Sequence, residues 1–334
     1  MKNETFVAEI VETVKHPRAR NGQQILVKFN LLIVFGVVCV AASLLAPEFL
    51  TTRNLSNLLQ QSSLVGIVAI GMTVVILVSG IDLSVGSVAA FGGMVVALLI
   101  GAGFAWPLAL LAALLAGAAL GAVMGGLSAL LALPSFMVTL AGLTSIRGLT
   151  YLTTDGTPTT STIPDSLRYL GAGQLWGVPV VGLIFIAVTL VVGLLLRQTT
   201  VGEYVYAVGS NVEAARLSGL PVRAIQTAAF VVSGTLAALS GALLTARLTI
   251  GQPTASQGLE LDAIAAVVLG GTSLFGGKGG VMGTFIAVLL LSVLRNLFNL
   301  MGLSSFFQML VTGLILIAAL ILNHVLERRG AVKA

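Results

Sequence analysis

Hydrophobic and polar positions along this chain are grouped in blocks. Ten apolar runs, at 29–46, 58–79, 84–102, 106–133, 135–152, 178–196, 227–246, 263–275, 281–297 and 306–322, are separated by segments that hold nearly all the charge. An apolar run of about 20 residues is long enough to cross a bilayer as a helix. The first, eighth and last two runs are short, and 263–275 leads into a glycine cluster, which predicts a broken or re-entrant helix there. The pattern predicts an all-α polytopic membrane protein of about ten transmembrane helices, and at least eight. It has a polar tail at 1–28, a transmembrane domain at 29–326 and a second tail at 327–334.

The longest polar interruption, 197–226, carries a short helix of its own at about 211–218. Ser210-Asn211-Val212-Glu213 has the S-x-x-E form of a capping box, in which the Ser210 hydroxyl and the Glu213 carboxylate satisfy free backbone N–H groups. Gly219 supplies the left-handed residue that ends a helix, and Pro221 prevents its resumption. Between these marks lie Ala214, Ala215, Arg216, Leu217 and Ser218. Helices below roughly 12 residues are marginal in water. Either this one presses against a partner, or it is a structured surface turn.

Composition agrees with a membrane protein. The chain is 57% hydrophobic and 9% charged, with mean hydropathy +1.06, against about 25% charged residues in soluble domains. With the N-terminus in the cytoplasm and ten spans, twelve basic residues fall inside: Lys2, Lys15, Arg18, Arg20, Lys28, Arg197, Arg216, Arg223, Lys278, Arg328, Arg329 and Lys333. Arg53, Arg168, Arg247 and Arg295 fall outside, and Arg147 lies within a span. This positive-inside asymmetry puts both termini and the 197–226 loop in the cytoplasm and 153–177 outside. The net charge of +5 is thus an orientation signal and calls for no nucleic-acid partner. The polar lead before 29 carries Glu4, Glu9 and Glu12 and lacks the form of a cleaved signal, so the first span is read as retained.

Several chemistries are excluded by residue type. Cys39 is the only cysteine, and His16 and His324, both in the tails, are the only histidines. No intrachain disulfide, no metal site built on cysteine or histidine, and no histidine-dependent catalytic set can form in the core. The run Gly271–Gly279 suggests a phosphate loop, but G-x-x-x-x-G-K-[ST] would need Gly at 272 and Ser or Thr at 279, where Thr272 and Gly279 stand. The chain is therefore expected to bind no ATP and no other cofactor.

The 39 glycines carry packing information. Gly117, Gly121 and Gly125 share one face of the fourth run, a spacing that lets helix backbones approach closely, within the chain or at a subunit interface. The segments 80–87 and 276–284 each interrupt apolar runs and share a Gly followed six residues later by Gly-Ser or Gly-Thr, a faint trace of an internal repeat. Asp82 is read as the N-cap of the third span or as a polar contact on a transport path. Arg147 either snorkels to the outer surface or lies on that path.

Three segments, GMTVVILVSGIDLSVGS (71–87), GSNVEAARLSGLPV (209–222) and ELDAIAAVVLGGTSLFGGKGG (260–280), resemble the ribose-type permeases of bacterial ABC importers, in family order and spacing. The similarity runs from about 29 to 323. It implies a permease of the bacterial inner membrane that dimerises, joins cytoplasmic ATPase subunits which bind ATP and Mg, and receives sugar from a periplasmic binding protein. It also implies that 209–221 is the coupling helix docking on the ATPase, and that the cargo is ribose or a related monosaccharide or polyol. Such a path needs hydroxyl and amide partners more than charge; Asp82, Ser84, Ser87, Thr139, Thr144 and Arg147 are the candidates. Arg295 departs from the family pattern and is expected to bear on substrate or binding-protein preference. An ion-coupled secondary transporter is the alternative, and it would need a carboxylate at membrane depth, for which Asp82, at a predicted span boundary, is the candidate.

Overall fold

A computed structural model describes residues 21–160, 162–304, 306–311, 313, 314 and 317. The chain order is α1 (Asn21–Leu45), α2 (Thr52–Leu77), α3 (Val85–Gly101), α4 (Trp106–Leu131), α5 (Ser135–Leu152), β1 (Thr159–Thr160), α6 (Asp165–Ala172), β2 (Gln174–Leu175), β3 (Val178–Pro179), α7 (Val180–Gln198), α8 (Thr200–Ser210), α9 (Val212–Leu217), α10 (Val222–Leu248), β4 (Ile250–Gly251), α11 (Leu259–Leu269) and α12 (Val281–Leu300). Among the described residues five helices are long and apolar enough to cross a membrane: α2, α4, α7, α10 and α12. The apolar segment Leu31–Leu45 of α1 and helix α3 are shorter. The expected count of ten is thus matched only in part; about half of the run at 306–322 and the whole tail at 327–334 fall outside the described residues.

α2 and α10 form the centre. Most of α2 is buried, including Ile67, Val68, Ile70, Met72 and Ile76. α10 packs against α2, α3 and α4. α4 shows how sequence sets position. Leu108, Leu111, Leu115, Val123, Leu127 and Leu130 recur at helical spacing and are exposed, the pattern of a lipid-facing stripe. The opposite face carries the glycines. A Cβ on Gly117 or Gly121 would collide with the Gly234 or Phe230 carbonyl oxygen of α10, and one on Gly125 would lie 2.8 Å from the Phe230 Cβ. The glycine stripe serves close packing within the chain.

α11 is a half-span. Its 11 residues rise about 16 Å, about half the hydrocarbon thickness. The glycine-rich segment 270–280 continues from it to α12, as a broken helix was expected to do. Gly270 and Gly283 touch backbone to backbone, and the Thr73 and Thr284 hydroxyls pair at 2.8 Å across α2 and α12.

Contacts sort the connections to two opposite ends. At one end β1 pairs antiparallel with β4, Gln174 donates to Ser56 Oγ at 3.0 Å, and Asn54 and Asn296 exchange amide hydrogen bonds at 2.9 and 2.7 Å. At the other end the last residues of α2, the loop after α11, and α8 with α9 come together. The expected sorting of loops to two sides is thereby met for these segments.

Candidate functional site

Between α2 and α3 the chain unwinds inside the protein. Ser233 of α10, which touches this segment, lies about 16 Å along the helix from Val222, near the helix middle. Non-helical backbone at such depth survives only if its polar groups are satisfied by protein or water. Here side chains do so. Ile81 N–H donates to Ser135 Oγ at 3.0 Å, and the Ile81 carbonyl accepts from Thr139 Oγ1 at 3.0 Å. Asp82 Oδ1 accepts from Ser84 N at 3.0 Å and from Ser84 Oγ at 2.6 Å, and its Oδ2 accepts from Ser233 Oγ at 2.8 Å. Asp82 is 1% exposed.

This corrects the capping expectation. The residue at the N-cap of α3 is Ser84, in a helical conformation and without a side-chain cap hydrogen bond. Asp82 instead folds the turn back on itself and ties it to α10. Of the candidate path residues, Asp82, Ser84, Ser87 and Thr139 do gather around the break, with Ser87 Oγ donating to the Leu143 carbonyl at 2.7 Å. Thr144 is exposed and donates to the Ala141 carbonyl of its own helix at 2.9 Å. Arg147 does not stand free. Its Nη1 donates to the Pro253 and Ala255 carbonyls at 2.9 and 2.8 Å and pins the loop after β4. Arg295 makes a two-pronged ion pair with Asp262, so it has a structural partner between α11 and α12. Sequence reasoning passed over Glu260. Its carboxylate sits where a Cβ on Gly86 would be, and its Oε2 is buried with no hydrogen-bond partner among the described residues. An acid opening an apolar helix was the available signal.

The other end holds the short helix α9. It exists where expected, but its cap is shifted by one residue. Asn211 is the N-cap, with its Oδ1 accepting from Ala214 N at 2.9 Å. Ser210 ends α8 and donates to the Tyr206 carbonyl at 2.8 Å. Asn is as good a cap as Ser, and with α8 running to Ser210, Asn211 becomes the first extended residue. Glu213 does not reach back; it accepts from Arg216 Nη2 at 2.6 Å and Nε at 3.1 Å. That hydrogen bond holds the Glu213 carboxyl below the ordinary range and raises the Arg216 guanidinium. Gly219, at φ +81°, ends the helix as expected, with Gly219 N donating to the Arg216 carbonyl and Leu220 N to the Ala215 carbonyl. Only Ala215 of α9 is buried, and Leu217 is 78% exposed. Between α9 and the Asp82 break lies a cavity of about 430 Å³, whose wall includes Ser135, Arg216, Arg223 and Gln226.

The family described as branched-chain amino acid transport system / permease component matches residues 54–320, and the chain belongs to this family of transport permeases. It is 40% identical over 304 residues to the ribose import permease protein RbsC of Haemophilus influenzae, covering 90% of this chain and 94% of that protein. Identity to the ribose import permease protein RbsC of Bacillus subtilis is 42% over 289 residues, 86% of this chain and 90% of that protein. The L-arabinose transport system permease protein AraH of Escherichia coli is 37% identical over 297 residues, 89% of this chain and 90% of that protein. No solved structure matches. The chain is thus a multi-pass transport subunit of the inner membrane.

Proposed function

We propose that this chain is the transmembrane subunit of an ATP-dependent importer for ribose or a closely related monosaccharide. The family's description speaks of amino acids, but the relatives named above are sugar permeases matched along nearly their whole length, and that favours a sugar. In this reading two copies form the path, a periplasmic binding protein delivers the sugar, and a separate ATPase holds ATP and Mg. Both termini are cytoplasmic, and α9 docks on the ATPase. The observation that carries the docking is Leu217, a large apolar side chain held in water on a six-residue helix. Burying it against a partner is worth about 1.5–3 kcal/mol. The cavity beside α9 then serves as the cytoplasmic exit, with Gln226, Ser135 and Arg223 offering hydrogen bonds to sugar hydroxyls. The Asp82 carboxylate is committed to three hydroxyl and amide donors, which disfavours the ion-coupled alternative.

The test is reconstitution of the chain with its ATPase in proteoliposomes, with binding protein and labelled ribose or arabinose supplied outside. Uptake is expected to require ATP and binding protein. Uptake that persists without ATP and collapses with an ion gradient would refute the reading. Leu217→Glu is expected to abolish co-purification of the ATPase while the permease still inserts in the membrane.

A further inference from the structure

Three chain segments distant in sequence are tied together beneath α9. Ser79, just past the end of α2, has its Oγ 3.1 Å from the Gly209 carbonyl oxygen and 2.8 Å from the Phe275 carbonyl oxygen, and shares its one proton between them. Gly277 N donates to the Leu77 carbonyl at 3.0 Å. Tyr206 Oη, on α8, donates to the Gly279 carbonyl at 3.0 Å. The packing around these bonds leaves no slack. A Cβ on Gly209 would overlap the Leu77 carbonyl, and one on Gly277 would lie 2.7 Å from the Ser210 Cα. Ser79 is itself in the left-handed region, at φ +62°. A non-glycine residue in that conformation is disfavoured and persists where its surroundings hold it.

Each segment leads somewhere. Gly209 and Ser210 run directly into α9. Leu77 and Ser79 run directly into the unwound stretch that carries Asp82. Phe275, Gly277 and Gly279 belong to the glycine loop that completes the half-span α11. A rigid body made of these three ends cannot move at α9 without moving both interruptions in the membrane.

We propose that Ser79 and Tyr206 are positioning residues for energy coupling: they clamp the base of α9 to the two broken membrane segments, so that a displacement of α9 by the ATPase is delivered to both at once. The proposal rests on the docking of α9 described above. Ser79 also borders the cavity beside α9; the proposal concerns only its hydroxyl, which is directed at the two backbone carbonyls, and it assigns Tyr206 no contact with sugar or nucleotide. Their effect is on the linkage between sites, and linkage is lost when the connecting element becomes compliant, even with both sites intact.

Ser79→Gly is the informative variant. Glycine adopts the left-handed conformation freely, so the backbone is relieved while the hydroxyl is removed. A residue kept only for its left-handed backbone would tolerate this change. Tyr206→Phe removes one hydroxyl and keeps the ring. In the assembled complex, each variant is expected to retain ATPase association and basal ATP hydrolysis. Stimulation of hydrolysis by sugar-loaded binding protein, and uptake per complex, are expected to fall by at least about fivefold, the lower end of coupling between linked sites. Because both act on one clamp, the double variant is expected to fall little further than the worse single variant. Uptake per complex within about twofold of the unaltered protein in the double variant, with Leu217→Glu still losing the ATPase, would overturn the clamp alone. Normal assembly and uptake in Leu217→Glu would overturn the docking reading and the clamp with it.

Discussion

Asp82 is the side chain on which the unwound segment turns, and its removal has a calculable cost. Asp82→Ala deletes the acceptor for Ser84 N–H, Ser84 Oγ and Ser233 Oγ in a position that is 1% exposed. The Ser233 hydroxyl can rotate toward a carbonyl of its own helix, so its loss is small. The Ser84 groups sit at a chain break and have no such substitute. At about 1–3 kcal/mol for each buried donor left unsatisfied, the two Ser84 donors sum to about 2–6 kcal/mol. Asp82→Asn keeps an oxygen at the Oδ1 position for both Ser84 donors. Its amide nitrogen replaces Oδ2, and Ser233 Oγ can accept where it had donated. What is lost is charge assistance, which roughly doubles the strength of such bonds, so the cost is about 1–2 kcal/mol. The assay pairs thermal unfolding of the detergent-solubilised permease with sugar uptake normalised to folded protein in the membrane. Asp82→Ala is expected to unfold at markedly lower temperature, with total uptake falling in step with the folded fraction and normalised uptake little changed. Asp82→Asn is expected to lie between it and the unaltered chain and to retain most uptake. An Asp82→Asn protein as stable as the original but unable to transport would refute this reasoning, because it would show the charge serving the cargo instead of the fold.

Two further outcomes test the frame. A side chain at Gly121 runs into the Phe230 carbonyl of α10, whereas a Cβ at Gly126, one helical step off that face, meets nothing within 4 Å; Gly121→Ala is expected to cost about 3 kcal/mol, Gly126→Ala to leave the unfolding midpoint nearly unchanged, and equal losses would dismiss the α4–α10 packing. In a Cys39→Ser background, a cysteine at exposed Thr157 is expected to react with an impermeant label from the periplasm and one at exposed Leu217 only from the cytoplasm, the reverse pattern contradicting the positive-inside assignment.

The elements legible in the sequence are those whose cause is local. The stripe of Gly117, Gly121 and Gly125 could be read because helical spacing alone puts three missing side chains on one face, whatever packs there. Gly219 could be read because a short helix followed by glycine and proline has few other conformations. The cap of α9 was misplaced by one residue for an equally local reason: Ser210 and Asn211 are both good caps, and the choice between them depends on where the preceding helix α8 stops. The polar composition of 197–226 concealed α8, whose apolar residues Val205 and Val208 are buried against neighbours that the segment itself does not contain.

The hydroxyls at the candidate path share one physical constraint. Ser84, Ser87, Thr139 and Asp82 read as partners for a sugar because hydroxyls and a carboxylate at membrane depth have to bond to something. A broken helix frees its own N–H and C=O groups at that same depth, and those groups make the first demand. In this fold the Thr139 hydroxyl is shared between the Ile81 and Ser135 carbonyls, Ser87 is spent on the Leu143 carbonyl, and Asp82 on Ser84 and on Ser233, which lies 151 residues away. Nothing in the local pattern near Asp82 points to Ser233, so the pairing could not be found without the fold. Polar side chains next to a glycine break are therefore weaker signs of a cargo site than their number suggests. The groups left over once the backbone is satisfied are the more informative ones. By that measure the wall of the cavity beneath the break, with Gln226 and Arg223, is the better place to seek the sugar than the break itself.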